Sequence, residues 1–356
     1  MTVTAEGAGT QTRSMGFAEA LNDALDVALQ IDPTVVLLGE DIDDESTGGN
    51  FKITKGLSSR HGEHRVRSTP ISEQAIVGAA IGAGLGGVRP VAEIMFVDFL
   101  AVAMDQIVNH AARLRYMSGG QTHVPITIRT ASAGGQGFGG QHSGMLESWF
   151  THVPGLKVVV PATPDDAKGL LLTSIFDDDP VLFIESARLY FGNMAFGEPG
   201  GDPRRLHTEV PLGDYRVPLG SARVRRVGSD VTVITYGRQV DDATKVADAL
   251  REEGFSIELI DLRSLVPLDL QTVLTSVSKT RRAVVFHEAV TRSGFGAEVS
   301  ARITEELFDE LAAPVTRLGA PNTPVPYAAN LEAAYQPGVA RLTNVVRNLA
   351  AGKRKR

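Results

Sequence analysis

Apolar residues recur every three or four positions from Phe17 to Ile31 (Phe17, Ala20, Leu21, Ala24, Leu25, Ala28, Leu29), the period of a helix with one buried face. Asp32-Pro33 ends it, and Thr34-Val35-Val36-Leu37-Leu38-Gly39 follows, a short β-rich run of the kind buried in a parallel sheet. The alternation then repeats. The pattern predicts a helix over 72–86, a strand over 90–96, a helix over 99–116 and a strand over 125–129; a glycine loop precedes a strand over 157–161, a helix over 164–176 and a strand over 181–185. Thr163 is placed to cap the helix at 164, Pro164 suits its first turn, and Asp165 and Asp166 face the positive end of its dipole.

The period fails between 188 and 228, where glycine, proline and charges collect. A second series follows, with strands over 230–236, 256–262, 282–287 and 314–318 and helices over 240–253, after Pro267 and over 297–311. Alternating strands and helices imply two α/β domains with mostly parallel sheets. The boundaries read as a flexible N-terminus (1–15), a first domain (16–190), a linker (191–228), a second, smaller domain (229–350) and a basic tail (351–356).

Length agrees, since 356 residues exceed one ordinary hydrophobic core. A net charge of −7 removes the basic excess expected of a nucleic-acid coat. The absence of cysteine excludes disulfides, thiolate metal sites and a cysteine nucleophile. The most apolar run, 76–88, falls short of the roughly 20 residues a membrane span needs, and residues 1–14 are small and polar, so a cytoplasmic enzyme is expected.

Five features could carry chemistry. Gly135-Gln136-Gly137-Phe138-Gly139-Gly140 has the letters of a dinucleotide fingerprint after a strand, but Gln141-His142-Ser143-Gly144 opens no convincing helix; the loop is a nucleotide site, a flexible glycine turn, or a close approach to some other ligand to which it presents His142. Gly78, Gly82 and Gly86 leave one helix face bare for a close neighbour. Glu73, just before that helix, is either a solvated first-turn carboxylate or a buried one able to hold a proton beside a heterocycle nitrogen. His61 and His64 lie in a charged loop without a third metal ligand, while His287-Glu288 ends a strand where α/β crevices lie. No Walker lysine motif or nucleophile elbow occurs.

Leu38-Gly39-Glu40-Asp41, Thr69-Pro70-Ile71-Ser72-Glu73, Arg89-Pro90-Val91-Ala92-Glu93, Asp105-Gln106-Ile107, Gln141-His142-Ser143, Pro154-Gly155-Leu156-Lys157-Val158-Val159 and Asp166-Ala167-Lys168-Gly169-Leu170-Leu171 together resemble the β subunit of thiamine-diphosphate-dependent 2-oxo acid dehydrogenases, acetoin dehydrogenases included. The likeness continues through Asp261-Leu262-Arg263-Ser264-Leu265 and His287-Glu288-Ala289. It implies a transketolase-like pyrimidine-binding domain and a transketolase C-terminal domain, with the diphosphate and Mg²⁺ held by a separate α subunit in an α2β2 heterotetramer. In agreement, the chain lacks the Gly-Asp-Gly segment with paired asparagines that holds that end.

By the same resemblance Glu73 hydrogen-bonds the aminopyrimidine ring, Met95 and Phe99 line its pocket, and His142 assists acyl transfer to the lipoyl arm of an acyltransferase. A structural K⁺ beneath the cofactor loop is implied at Ile126, Ser174, Ile175, Asp177 and Asp179. The implied reaction is decarboxylation of a 2-oxo acid, pyruvate-like by the glycine loop, with transfer of the acyl unit to lipoamide. The alternatives are an acetoin dehydrogenase subunit, a non-catalytic subunit, a single-chain transketolase-type synthase and an NAD-binding protein.

Overall fold

The computed structural model describes residues 11–191 and 207–354. The first half of the chain runs β1 (Thr12–Met15), α1 (Phe17–Ile31), β2 (Val35–Gly39), α2 (Leu57–His61), β3 (Val66–Ser68), α3 (Glu73–Leu85), β4 (Arg89–Phe96), α4 (Ala112–Met117), β5 (Thr127–Ser132), α5 (Glu147–Thr151), β6 (Lys157–Val159), α6 (Pro164–Ile175), β7 (Val181–Ser186) and α7 (Ala187–Phe191). The second half carries β8 (Thr208–Pro211), β9 (Arg223–Arg226), β10 (Val231–Thr235), α8 (Gln239–Glu252), β11 (Ile257–Asp261), β12 (Ser264–Val266), α9 (Leu270–Thr280), β13 (Ala283–Val290), α10 (Phe295–Leu307), β14 (Thr316–Ala320), α11 (Ala329–Tyr335) and α12 (Val339–Arg354).

Seven strands form the larger sheet in the order β12-β6-β7-β5-β4-β2-β3, parallel throughout except for β12. The continuous apolar runs explain why it is covered on both faces: every residue of β5 and β7 is buried. On one face lie α1 and α6, where Phe17, Leu21 and Leu25 share a core with Leu170, Leu171 and Ile175. Across the sheet, α3 belongs to a core that also contains Ile234, Leu262 and Phe295 of the second domain, so the two domains share apolar packing. The smaller sheet, β14-β13-β10-β11-β9, is parallel except for its edge strand β9.

The structure departs from the expected boundaries at several places. Residues 12–15, assigned to a flexible terminus, form β1 and pair antiparallel with β8, which lies in the expected linker; the same linker also supplies β9. These strands are too short to show a period, and only the long-range ladder makes them visible. Residues 1–10 and 192–206 lie outside the described set. The basic tail begins inside α12. The single helix expected over 99–116 is a 3₁₀ turn (Val97–Ala101), a π-type turn (Gln106–Ala111) and α4, a difference in hydrogen-bond step that apolar spacing does not resolve. Thr163 does not cap α6; its hydroxyl bonds Asp166 (3.2 Å), which pairs with Arg263 (2.9 Å) across the domain boundary.

The segment containing Arg263 is where the domains join. β12 leaves the second domain and adds to the first domain's sheet, Ser264 opposite Val159 and Val266 opposite Val158. Nearby, the Tyr236 hydroxyl donates to Glu147 across the same boundary (2.7 Å). Glu147 is fully buried, and burial pushes its carboxyl up to about 7 against the opposing effect of the Tyr236 hydrogen bond. A folded-state value above the ordinary 4.5 favours folding fully only below about pH 4.5, and the advantage disappears as pH rises through about 7. Glu147→Gln removes that loss, worth on the order of 3 kcal/mol. Thermal unfolding should therefore show the variant gaining on the parent between pH 5 and pH 8; an equal offset at both pH values contradicts the assignment.

Candidate active site

Because β3 and β4 flank β2 on opposite sides, the chain reverses its winding direction at β2, which opens a crevice at the carboxyl ends of these parallel strands. Glu40 follows β2, Glu73 starts α3 just beyond β3, Met95 and Phe99 stand at the end of β4, and the glycine loop with His142 follows β5. Sequence-distant residues thus meet at one sheet edge.

Glu73 is only 9% exposed: its side chain is largely covered by protein, while its carboxyl oxygens remain open to solvent. It occupies the first turn of α3, at the positive end of the helix dipole, and its carboxyl makes no hydrogen bond or ion pair with another described residue. Burial pushes the neighbouring Glu40 carboxyl up, and the charge of Glu73 adds to that effect. A carboxyl that lies near a second carboxyl, on a largely covered side chain and without a protein partner, suits a ligand that offers it a ring nitrogen and an amino group.

An aromatic wall stands at the same edge of the sheet. Buried Phe96 takes the ring edges of Phe51 (5.6 Å between centroids), Phe99 (5.9 Å), Phe138 (5.7 Å) and His142 (5.1 Å), and His142 also packs on Phe99 (5.2 Å). Met95 belongs to the same cluster, its sulfur 3.5 Å from the Asn50 amide nitrogen. Asp98 accepts from the Gly144 amide (3.1 and 3.2 Å), tying the far end of the His142 loop to the β4 end; burial pushes its carboxyl up.

Beneath the crevice the sheet buries a charge network that sequence reasoning missed. Arg129 forks onto Glu185 (2.7 and 2.8 Å) and reaches Glu93 (2.7 Å), while Tyr190 donates to Glu185 (2.5 Å). Its signal was faint: Glu93, Arg129 and Glu185 each stand inside a buried strand, and Glu93 is directly opposite Arg129 in the register. Such a network is satisfied internally and fixes the strand ends that carry the site.

The other candidates separate cleanly. The amides of Gly135 and Gly137 are taken by the Glu332 carboxylate (2.9 and 3.0 Å), so the fingerprint's phosphate-binding donors already hold an anionic side chain, which removes the dinucleotide reading. His61 bonds Asp26 (2.7 Å), and no group of three potential metal ligands occurs among the described residues. His287 is fully buried, stacked on Tyr236 (6.3 Å) and enclosed by Gly294, Gly296 and Gly319, and burial lowers its imidazole to about 4: it is a core residue. On the glycine face of α3, Gly78 meets the Gln106 side chain (3.6 Å from its missing β-carbon) while Gly82 has no atom within 4 Å of its own; beside Glu73, Ile71 is 82% exposed.

Ile126, Ser174, Ile175, Asp177 and Asp179 do converge, but not beneath the glycine loop. They precede β5 and β7, and the start of a parallel strand lies at the opposite edge from its end. The Lys157 ammonium bonds Asp177 (2.7 Å to each oxygen) and Asp179 (3.3 Å), and Arg115 pairs with Asp179, so the carboxylate charges are balanced by side chains.

No helix among the described residues is long and apolar enough to cross a membrane. Residues 13–192 match the transketolase pyrimidine binding domain and residues 220–342 the transketolase C-terminal domain. The chain is 46% identical to the 2-oxoisovalerate dehydrogenase subunit beta of Pseudomonas aeruginosa, covering 95% of each chain. It is 43% identical to the acetoin:2,6-dichlorophenolindophenol oxidoreductase subunit beta of Cupriavidus necator, covering 96% of this chain and 98% of that one. A mitochondrial pyruvate dehydrogenase E1 component subunit beta-2 of Oryza sativa is 43% identical over 92% of this chain and 84% of its own length. A solved split-gene transketolase, an inactive β4 tetramer, shares the fold at a TM-score of 0.71 and 23% identity, over 95% of this chain and 99% of that one. Buried Glu73, the aromatic wall and both domain matches fall in one order along one chain, which belongs to the transketolase-type β subunits of 2-oxo acid and acetoin dehydrogenases.

Proposed function

We propose that this chain is the pyrimidine-binding half of a thiamine-diphosphate-dependent 2-oxo acid dehydrogenase, working in the cytoplasm with an α subunit in an α2β2 assembly. The observation that carries the reading is Glu73: a largely covered side chain at the crevice whose carboxyl has no partner among the described residues. When bound, the cofactor supplies a carbon nucleophile that removes CO₂ from a 2-oxo acid. Glu73 would hold a proton at the aminopyrimidine ring, Met95 and Phe99 would pack against that ring, and His142 would sit at the reacting end. The α subunit would hold the diphosphate and Mg²⁺ and pack on α3 where Gly82 has no neighbour within 4 Å. A K⁺ ion among the main-chain oxygens near Ile126, Ser174, Ile175, Asp177 and Asp179 would serve the far edge of the sheet and take no part in the chemistry.

A pyruvate-like acid is the favoured substrate, with the acyl unit passed to a lipoyl-bearing acyltransferase; acetoin is the second candidate because of the 43% identity to a subunit named for it. The test is His142→Asn in the enzyme reconstituted with an α partner. An imidazole on the glycine loop can give a proton to the departing sulfur of the dithiolane, a step that follows loss of CO₂. Lipoamide acylation should fall roughly 10² to 10⁴-fold, far more than decarboxylation read with an artificial electron acceptor. Equal falls in both assays would assign His142 to an earlier step, and no fall in either would remove it from the chemistry.

A further inference from the structure

The loop that carries His142 takes its shape from the other domain. Gly135, Gly137 and Gly139 all sit in the left-handed region (φ +84°, +77° and +72°), and so glycine-rich a segment has little conformational preference of its own. The second domain grips it along its length. Glu332 of α11, only 4% exposed, accepts from the Gly135 amide with one carboxylate oxygen (2.9 Å) and from the Gly137 amide with the other (3.0 Å). Gly134 lies so close to the Glu288 carboxyl that a β-carbon would overlap it. The Tyr327 ring would be 2.7 Å from a β-carbon on Gly139, and the Val325 carbonyl oxygen 3.4 Å from one on Gly140. Two charge-assisted hydrogen bonds to one buried carboxylate are the strongest of these contacts, and the only ones that fix the loop's backbone in direction as well as position.

We propose that Glu332 is a positioning residue for His142: by holding the Gly135 and Gly137 amides it sets the loop so that the imidazole stays edge-on between Phe96 and Phe99 at the reacting end of the crevice. Glu332 acts through the loop, and the second domain thereby takes part in the transfer step. This rests on the reading of His142 as the acyl-transfer group.

The test uses the enzyme reconstituted with an α partner and carrying Glu332→Gln, His142→Asn or both. Glutamine keeps the size and one acceptor oxygen but turns an amino group toward the second amide. Glu332→Gln should lower lipoamide acylation about tenfold or more while decarboxylation with an artificial acceptor stays within about twofold, the penalty of a displaced catalytic group. Amide hydrogen exchange at Gly135 and Gly137 should speed up in the same variant. Since Glu332 acts through His142, the double variant should be no slower in acylation than His142→Asn alone. Additive losses, equal falls in both assays, or unchanged acylation beside faster amide exchange each overturn the proposal. Should Glu332→Gln fail to fold, Tyr327→Ala, at a side chain 76% exposed, loosens the loop at Gly139 and should show the same split in smaller measure; an unsplit loss there overturns it as well. A selective loss in His142→Asn that is absent from Glu332→Gln removes only the role of Glu332, whereas no selective loss in His142→Asn removes both.

Discussion

Glu73→Ala should abolish hydrogen–deuterium exchange at the thiazolium carbon of bound thiamine diphosphate and leave the fold intact. The carboxyl makes no hydrogen bond with another described residue, so the variant strands no buried partner. It gives up the favourable charge at the first turn of α3, about 0.3–1 kcal/mol, and relieves the repulsion that raises Glu40, so the two effects oppose each other in stability. What it removes outright is the proton held at the pyrimidine ring, a loss in general acid–base catalysis of roughly 10² to 10⁴ in rate. Glu40 cannot replace it, since it follows a different strand and owes part of its own shift to Glu73; in the variant its titration should move back toward the ordinary carboxylate range. Exchange at the parent rate in a correctly folded variant would refute the role of Glu73.

How far the sequence foretold this depends on what each residue answers to. Five of the seven strands of the larger sheet and the helices α1, α3 and α6 were legible from their apolar positions, α6 running Pro164–Ile175 against an expected 164–176, whereas β3 and β12, three residues each, left no such signal. Glu73 was legible as a candidate but not as a buried group, since a first-turn carboxylate has the same spacing either way. The site's second layer was not. Arg129, Glu93 and Glu185 find each other across three strands, and β12 crosses into a sheet more than 100 residues away in sequence, neither of which leaves a local pattern. Glu332 is the sharpest case: it lies in a short helix nearly 200 residues after the loop it holds, and nothing in the spacing of either segment connects them. The residues expected around potassium lie where β5 and β7 begin, at the edge opposite the crevice, because strand direction fixes which end of a sheet a residue occupies.

The central claim, that this chain holds the pyrimidine end of the cofactor and depends on a second chain for the diphosphate, has a direct calorimetric test. Thiamine diphosphate with Mg²⁺ is titrated into this chain alone and into the chain combined with an α partner. The unpartnered Glu73 carboxyl and the Met95 and Phe99 wall offer contacts to one end of the ligand only, and no group of three potential metal ligands occurs among the described residues. The chain alone should therefore bind roughly a thousandfold more weakly than the combined enzyme, a difference of about 4 kcal/mol, and only the combined enzyme should show a dependence on Mg²⁺. Tight, Mg²⁺-dependent binding to the isolated chain would contradict the half-site account.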